Sequence, residues 1–405
     1  MRTEPEVLAP AGDTERLHAA LDFGADAVYL GGKLFGMRSS PENFDEAELE
    51  SAVRLCRERD VRVYLTCNTL PRNDELDRLP EFVSMARECG VDALIIADLG
   101  VLSMVKRLAP DMEIHMSTQT GIVNYATANE LYSMGVKRAV LARELSLAEI
   151  AEIRHRTSPE LELEAFVHGA MCVSFSGRCL LSSYLVNRDA NRGECAQPCR
   201  WAYHLMEEKR VGEFYPVFED ERGTYILNAK DLCMLPFIDR LAEAGVTSFK
   251  IEGRAKSAYY VSVITNAYRT AVDLYKKSPE SFKLPEWLLD EVYKVSHRKY
   301  CTGFYFGHPK DCQYYETGGY VRDYEVVGIV TGNENGKVYA VQRNKFSAGD
   351  TVELLAPASK PLEIRVDELF DEDGNRIDNT CHAEMKFSFP CDEAFPANTI
   401  IRIKK

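Results

Sequence analysis

The chain has 405 residues, of which 45% are hydrophobic and 28% charged, and a formal net charge of -14. At roughly 150 residues per domain this length holds two or three domains and excludes a mini-protein. No apolar run reaches the roughly 18 residues of a membrane span, and the acidic balance excludes a generally adhesive nucleic-acid binder, so any RNA contact has to be local.

The N-terminus, MRTEPEVLAPAGD, carries Glu4 and Glu6 where a signal peptide needs a basic and then an apolar region, which predicts a cytoplasmic protein. From residue 6 to about residue 277, β-rich runs alternate with amphipathic helical stretches. The runs are EVLAP from Glu6, AVYLG from Ala27, VRVYLTCN from Val61, ALIIAD from Ala93, EIHMSTQ from Glu113, RAVLAR from Arg138, LELEAFVHG from Leu161 and SFKIEG from Ser248. Eight such units predict an α/β fold, a TIM-like (β/α)8 barrel, with an open doubly wound sheet as the alternative. Asp13 stands where the first helix needs an N-cap, and Gly24, Gly90, Gly135 and Gly245 stand where helices need a left-handed C-cap before the next strand.

The repeat breaks between the seventh and eighth runs, where residues 170–247 form a cysteine-rich insertion within a barrel spanning 1–280. Residues 281–323 read as a linker with a short helix. From 324 to 405 the period turns to β, with YEVVGIVTG, NGKVYAVQR, DTVELLAP, LEIRVDEL, AEMKFSF and NTIIRIKK separated by the turn signals NENG and DEDGN, which predicts a small antiparallel β-barrel or sandwich domain.

Of the 12 cysteines, Cys172, Cys179, Cys195 and Cys199 are grouped, with Cys233 nearby. Gly169, Gly177 and Gly193 precede three of them closely, where a bound ion or cluster needs tight turns and backbone amides. Four gathered thiolates suit zinc or an iron-sulfur cluster, and the lack of paired C-x-x-C knuckles favours a cluster. Ordinary reduced core cysteines are the competing explanation.

The stretch EAFVHGAMCVSFSGRCLLS resembles the U32 signature E-x-F-x-x-G-x-x-C-x4-G-x-C-x-x-S at Glu164, Phe166, Gly169, Cys172, Gly177, Cys179 and Ser182. The likeness to this family, historically the collagenase-like peptidases, extends through LAPAGD, GADAVYLGG, HMSTQT and KIEGR to the terminal β domain. Within the family the chain is most similar to the tRNA hydroxylation proteins. That resemblance implies hydroxylation of the wobble uridine of tRNA to 5-hydroxyuridine, with prephenate as co-substrate. It also implies a 4Fe-4S cluster and a possible protein partner of the same family. Other relatives imply ribosomal RNA or quinone precursors as alternative substrates. Carried over position by position, the cluster ligands are Cys172, Cys179, Cys195 and Cys199, with Cys233 as the alternative fourth ligand.

Barrel active sites lie at the C-terminal ends of the strands, so Asn68, Asp98, Gln119, Arg143, His168, Glu252 and Arg254 are expected to face one cavity roofed by the cysteines. Arg143 and Arg254 suit the binding of a carboxylated substrate, His168 suits proton relay, and Glu252 stands with them as a catalytic candidate. Ordinary salt bridges and a loop-holding histidine are the bland explanations. A peptidase is the competing class, but neither HExxH nor GxSxG occurs, which leaves only a Cys172–His168 pair to imagine. The stretch from Lys250 to Lys277, with Tyr259, Tyr260 and Tyr268 interleaved among basic residues, reads either as a phosphate-tracking surface or as a barrel helix with its tyrosines in the core.

Overall fold

The computed structural model describes residues 5–36, 43–172, 174, 179, 181–188, 194–198, 218–220, 223–225, 229–307 and 320–405. Apolar alternation drives seven parallel strands in chain order: β1 (Glu6–Pro10), β2 (Ala27–Gly31), β3 (Arg62–Cys67), β4 (Ala93–Ile96), β5 (Glu113–Met116), β6 (Arg138–Val140) and β7 (Glu162–Ala170). A hairpin of β8 (Phe218–Asp220) and β9 (Gly223–Tyr225) stands apart, and β10 (Asp231–Cys233) returns to pair antiparallel with β7. Strand β11 (Ser248–Ile251) then closes the barrel: Ser248 is in register with Glu6 of β1 and with Glu164 of β7. The closed eight-stranded parallel barrel is the TIM-like fold expected, and the open sheet is excluded.

Helices fill the crossovers with the anticipated caps. The Asp13 side chain accepts from the Arg16 N–H, and Gly90 ends the helix Leu79–Cys89 with φ of 77°. One set of strand residues, including Val28, Leu30, Val63, Leu65, Leu94 and Ile96, packs outward on the helices. The opposite set fills the barrel with two layers of different chemistry. Leu8, Ala27, Tyr29, Tyr64, Ala93 and Ile95 form an apolar cluster, while Glu6, His115, Arg138, Glu164 and Ser248 are buried polar groups. Arg138 ties that polar layer together: it donates to Glu6 at 2.7 Å, Glu164 at 3.1 Å and Glu162 at 2.6 Å. Each buried charge is thereby paired, which a low-dielectric interior demands.

Of the segment read as a linker, the described residues up to 307 pack around the barrel. Helix Glu286–Tyr293 buries Leu288 and Val292, and β12 (Tyr300–Cys301) runs parallel to β10 and extends the main sheet. Beyond it, β13 (Tyr324–Glu334), β14 (Lys337–Gln342), β15 (Thr351–Leu355), β16 (Leu362–Arg365), β17 (Leu369–Asp371), β18 (Arg376–Ile377), β19 (Lys386–Pro390) and β20 (Ile400–Lys404) form one antiparallel sheet around its own core. Its order is β16-β15-β20-β13-β14-β19-β17-β18, and among the described residues no pairing joins the two edges. Among the described residues no helix is long and apolar enough to cross a membrane.

Candidate active site

The C-terminal ends of the barrel strands surround a cavity of about 1120 Å³, which continues between the barrel mouth and the C-terminal sheet. Tyr29, Ile95, Val140, Phe166 and Lys250 line its deep part, and Thr66, Asn68, Gln119, Arg143, Glu252 and Arg254 lie nearer the strand ends. Cys172, Cys179 and Cys195 line it as well. Of the strand-end residues expected there, Asn68, Gln119, Arg143, Glu252 and Arg254 reach it. Asp98 does not, because it caps the helix Leu99–Leu108 by accepting from the Val101 N–H.

Both expected arginines are built in from several sides. Arg143 donates to the Ala170 carbonyl at 2.9 Å, stands 3.8 Å from the Glu252 carboxylate and places its guanidinium 3.9 Å from the centre of the Phe166 ring. Arg254 is buried, donates to the Thr66 hydroxyl at 3.3 Å and packs against Gly31, where a Cβ would collide with its guanidinium. A Cβ at Gly12 would likewise collide with the Arg254 carbonyl. The glycines of LAPAGD and GADAVYLGG thus frame one arginine.

His168 lies elsewhere, which corrects the expectation that it faces the cavity. The pairing of β7 with β11 slips between Lys250 and Ile251, so that His168 stands opposite Ile251, whose side chain belongs to the outer core. A bulge of this kind moves the following residue to the other face of the sheet. His168 ends up fully buried among Tyr260, Tyr268 and Tyr300. Burial there pushes its pKa down to about 3, so the ring stays neutral. Of the two readings of the stretch from Lys250 to Lys277, burial of Lys250, Arg254, Tyr260 and Tyr268 favours barrel interior and core helix over a phosphate-tracking surface.

Desolvation raises the Cys172 thiol above its ordinary value; the Ser174 N–H and Arg143 oppose this, and Cys179 and Cys195 reinforce it. Thiols that share one cavity lining are of the kind that suits a sulfur-bound centre. Among the described residues, no three His, Cys, Asp or Glu side chains form a group able to hold a metal ion, and Cys199 lies outside the described residues. Cys233 sits in the core on β10, is not among the cavity-lining residues, and has its thiol pushed up to about 12 by burial.

Guanidinium groups, an ammonium and thiols thus line one cavity at the C-terminal face of a parallel barrel, the face where barrel proteins carry their sites. The chain belongs to peptidase family U32: residues 12–314 match the family, and residues 322–402 match its C-terminal domain. It is similar to tRNA hydroxylation protein P1 of Bacillus subtilis, 35% identical over 399 residues covering 98% of this chain and 94% of the relative. It is also similar to tRNA hydroxylation protein P of Escherichia coli, 37% identical over 396 residues covering 87% and 86%. A protein named collagenase from Porphyromonas gingivalis is 31% identical over 380 residues, covering 90% and 89%.

Proposed function

We propose that this protein is an enzyme of tRNA modification that hydroxylates the wobble uridine to 5-hydroxyuridine, with prephenate as co-substrate and a 4Fe-4S cluster as cofactor. The observation that carries the reading is the cavity itself, where Arg143 and Arg254 stand on the walls and Cys172, Cys179 and Cys195 share the lining. The relatives named for tRNA hydroxylation, similar along nearly the whole chain, supply the substrate class. Cys172, Cys179, Cys195 and Cys199 hold the cluster in this reading, and the cluster supplies redox chemistry at the mouth of the cavity. The arginines bind and orient the carboxylated co-substrate through charge-assisted hydrogen bonds, and Glu252, 3.8 Å from Arg143, fixes that arginine's position.

Among the described residues, the Cys172–His168 pair that a peptidase would use is not assembled. A thiol protease needs a base beside its nucleophile, and His168 is buried outside the cavity that Cys172 lines. Purified protein is expected to show no turnover of gelatin; turnover abolished by Cys172→Ala would restore the peptidase reading.

The direct test is mass spectrometry of tRNA nucleosides from cells lacking this chain and any paralogue. Loss of 5-hydroxyuridine derivatives, restored by the wild type and not by Cys172→Ala or Arg254→Ala, is the expected result. Unchanged levels in the double deletion overturn it and turn attention to ribosomal RNA or a quinone precursor.

A further inference from the structure

Lys250 on β11 is almost wholly buried, yet its ammonium carries three N–H donors. Among the described residues a single hydrogen bond engages it, to Glu164 at 2.7 Å. The charge of Glu164 is shared, because its other oxygen accepts from Arg138 at 3.1 Å. Around the remaining donors stand aromatic faces: the ammonium lies 4.6 Å from the centre of the Tyr29 ring and 5.4 Å from that of Phe166, and all three residues line the cavity. A buried ammonium short of acceptors is costly unless something in the cavity supplies them.

Arg143 shows the same deficit on the same ring. Its guanidinium stands 3.9 Å from the Phe166 centroid, and its Nε is buried without a hydrogen-bond partner. Two incompletely paired cations thus meet at one aromatic side chain in the deep half of the cavity. A single carboxylate satisfies only one of them, whereas a small dicarboxylate spanning Phe166 satisfies both.

We infer that Lys250 is the deep anchor for one carboxylate of a small dianionic substrate, with Arg143 taking the second carboxylate across the Phe166 ring. This rests on the hydroxylation reading, in which the co-substrate is prephenate, and it adds a binding residue to the two arginines. Glu164 then has a defined part: it competes with the substrate for Lys250, and Arg138 restrains it from doing so fully.

The test is calorimetric titration of the purified full-length protein with prephenate and with phenylpyruvate, which has lost the ring carboxylate. The wild type is expected to bind prephenate at least tenfold more tightly than phenylpyruvate. Lys250→Met should weaken prephenate binding at least tenfold and collapse that preference. Glu164→Gln should leave prephenate binding equal or tighter, since it removes the competing carboxylate, whereas a purely structural ion pair predicts parallel losses in both variants. Prephenate binding that is intact in a folded Lys250→Met, or a wild type with no preference for the dianion, overturns the inference. Should Lys250→Met fail to fold, the Glu164→Gln titration decides alone: weaker prephenate binding there overturns the inference. Nucleoside analysis separates the two readings, because tRNA hydroxylation can persist when the Lys250 inference fails, and dianion binding can persist when the tRNA reading fails.

Discussion

Arg402 of β20 and Glu291 of the helix Glu286–Tyr293 form a buried ion pair of 2.6 Å that joins the C-terminal sheet to the barrel's surround. The same guanidinium nitrogen reaches Glu353 of β15 at 2.6 Å, and Lys294 bonds that carboxylate at 2.9 Å. The pair sits where apolar residues of both units are in contact, since Leu355 and Ile400 of the sheet belong to the main barrel core.

Removing the cation leaves two carboxylates against one ammonium, and breaking one side of a buried pair costs about 3–5 kcal/mol. Arg402→Met is therefore expected to lower stability by that order, with the C-terminal sheet loosening before the barrel. Calorimetry checks it: a single unshifted transition would show that the pair does not hold the units together.

His168 makes acid the weak side of the fold. Its pKa is about 3 in the folded state against 6.5 when free, so between these values the unfolded chain binds the extra proton. Stability from this group is complete above pH 6.5 and falls as pH drops toward 3, by about 1.4 kcal/mol per unit. Urea midpoints measured from pH 7.5 down to about 4.5 should decline more steeply in the wild type than in His168→Gln, which has nothing to protonate. Parallel declines would mean that the histidine is not held neutral by its tyrosine cage.

The fourth thiol distinguishes two sets of ligands. Cys233 is fixed on β10 opposite His168 and away from the cavity lining, so Cys233→Ser is expected to keep the iron bound by anaerobically purified protein, at a cost of about 1–3 kcal/mol for burying a hydroxyl. Cys172→Ser and Cys199→Ser are expected to lose it. Iron retained in Cys199→Ser and lost in Cys233→Ser would reassign the ligand.

The barrel was legible because its signals are local: apolar alternation in Val28–Leu30 or Val63–Leu65 and a glycine such as Gly90 between helix and strand. What was not legible depends on closure. Glu6, Arg138 and Glu164 look like surface charges in a linear reading and become a buried network only when β11 brings β1 and β7 together. The same holds for Lys250, whose interior position follows from pairing with Phe166. His168 was misplaced because a single-residue slip in register leaves no mark in composition. In the C-terminal sheet, β17 and β18 were missed because they are only 3 and 2 residues long, too short for a period to show.

Gly31 gives the sharpest test of how the site is held. It ends β2 where the Arg254 guanidinium passes, so a Cβ there collides with that guanidinium and comes within 2.8 Å of the Asn43 side chain. The group struck is the far end of a flexible side chain, so the fold can relieve the clash by letting Arg254 move. Gly31→Ala should therefore cost little stability, about 1 kcal/mol or less by the usual price of an off-rotamer side chain. The misplacement should nonetheless shift the arginine from its place on the cavity wall beside the co-substrate, and displacements near 1 Å lower rates by about a hundredfold. Arg254→Ala should match that loss, and the double variant Gly31→Ala/Arg254→Ala should be no worse than Arg254→Ala alone, because both changes remove one interaction. The measurements are 5-hydroxyuridine in complemented cells and prephenate affinity of the purified variants. Full activity in Gly31→Ala, or additive losses in the double variant, would show that Arg254 acts through something other than its position at the end of β2.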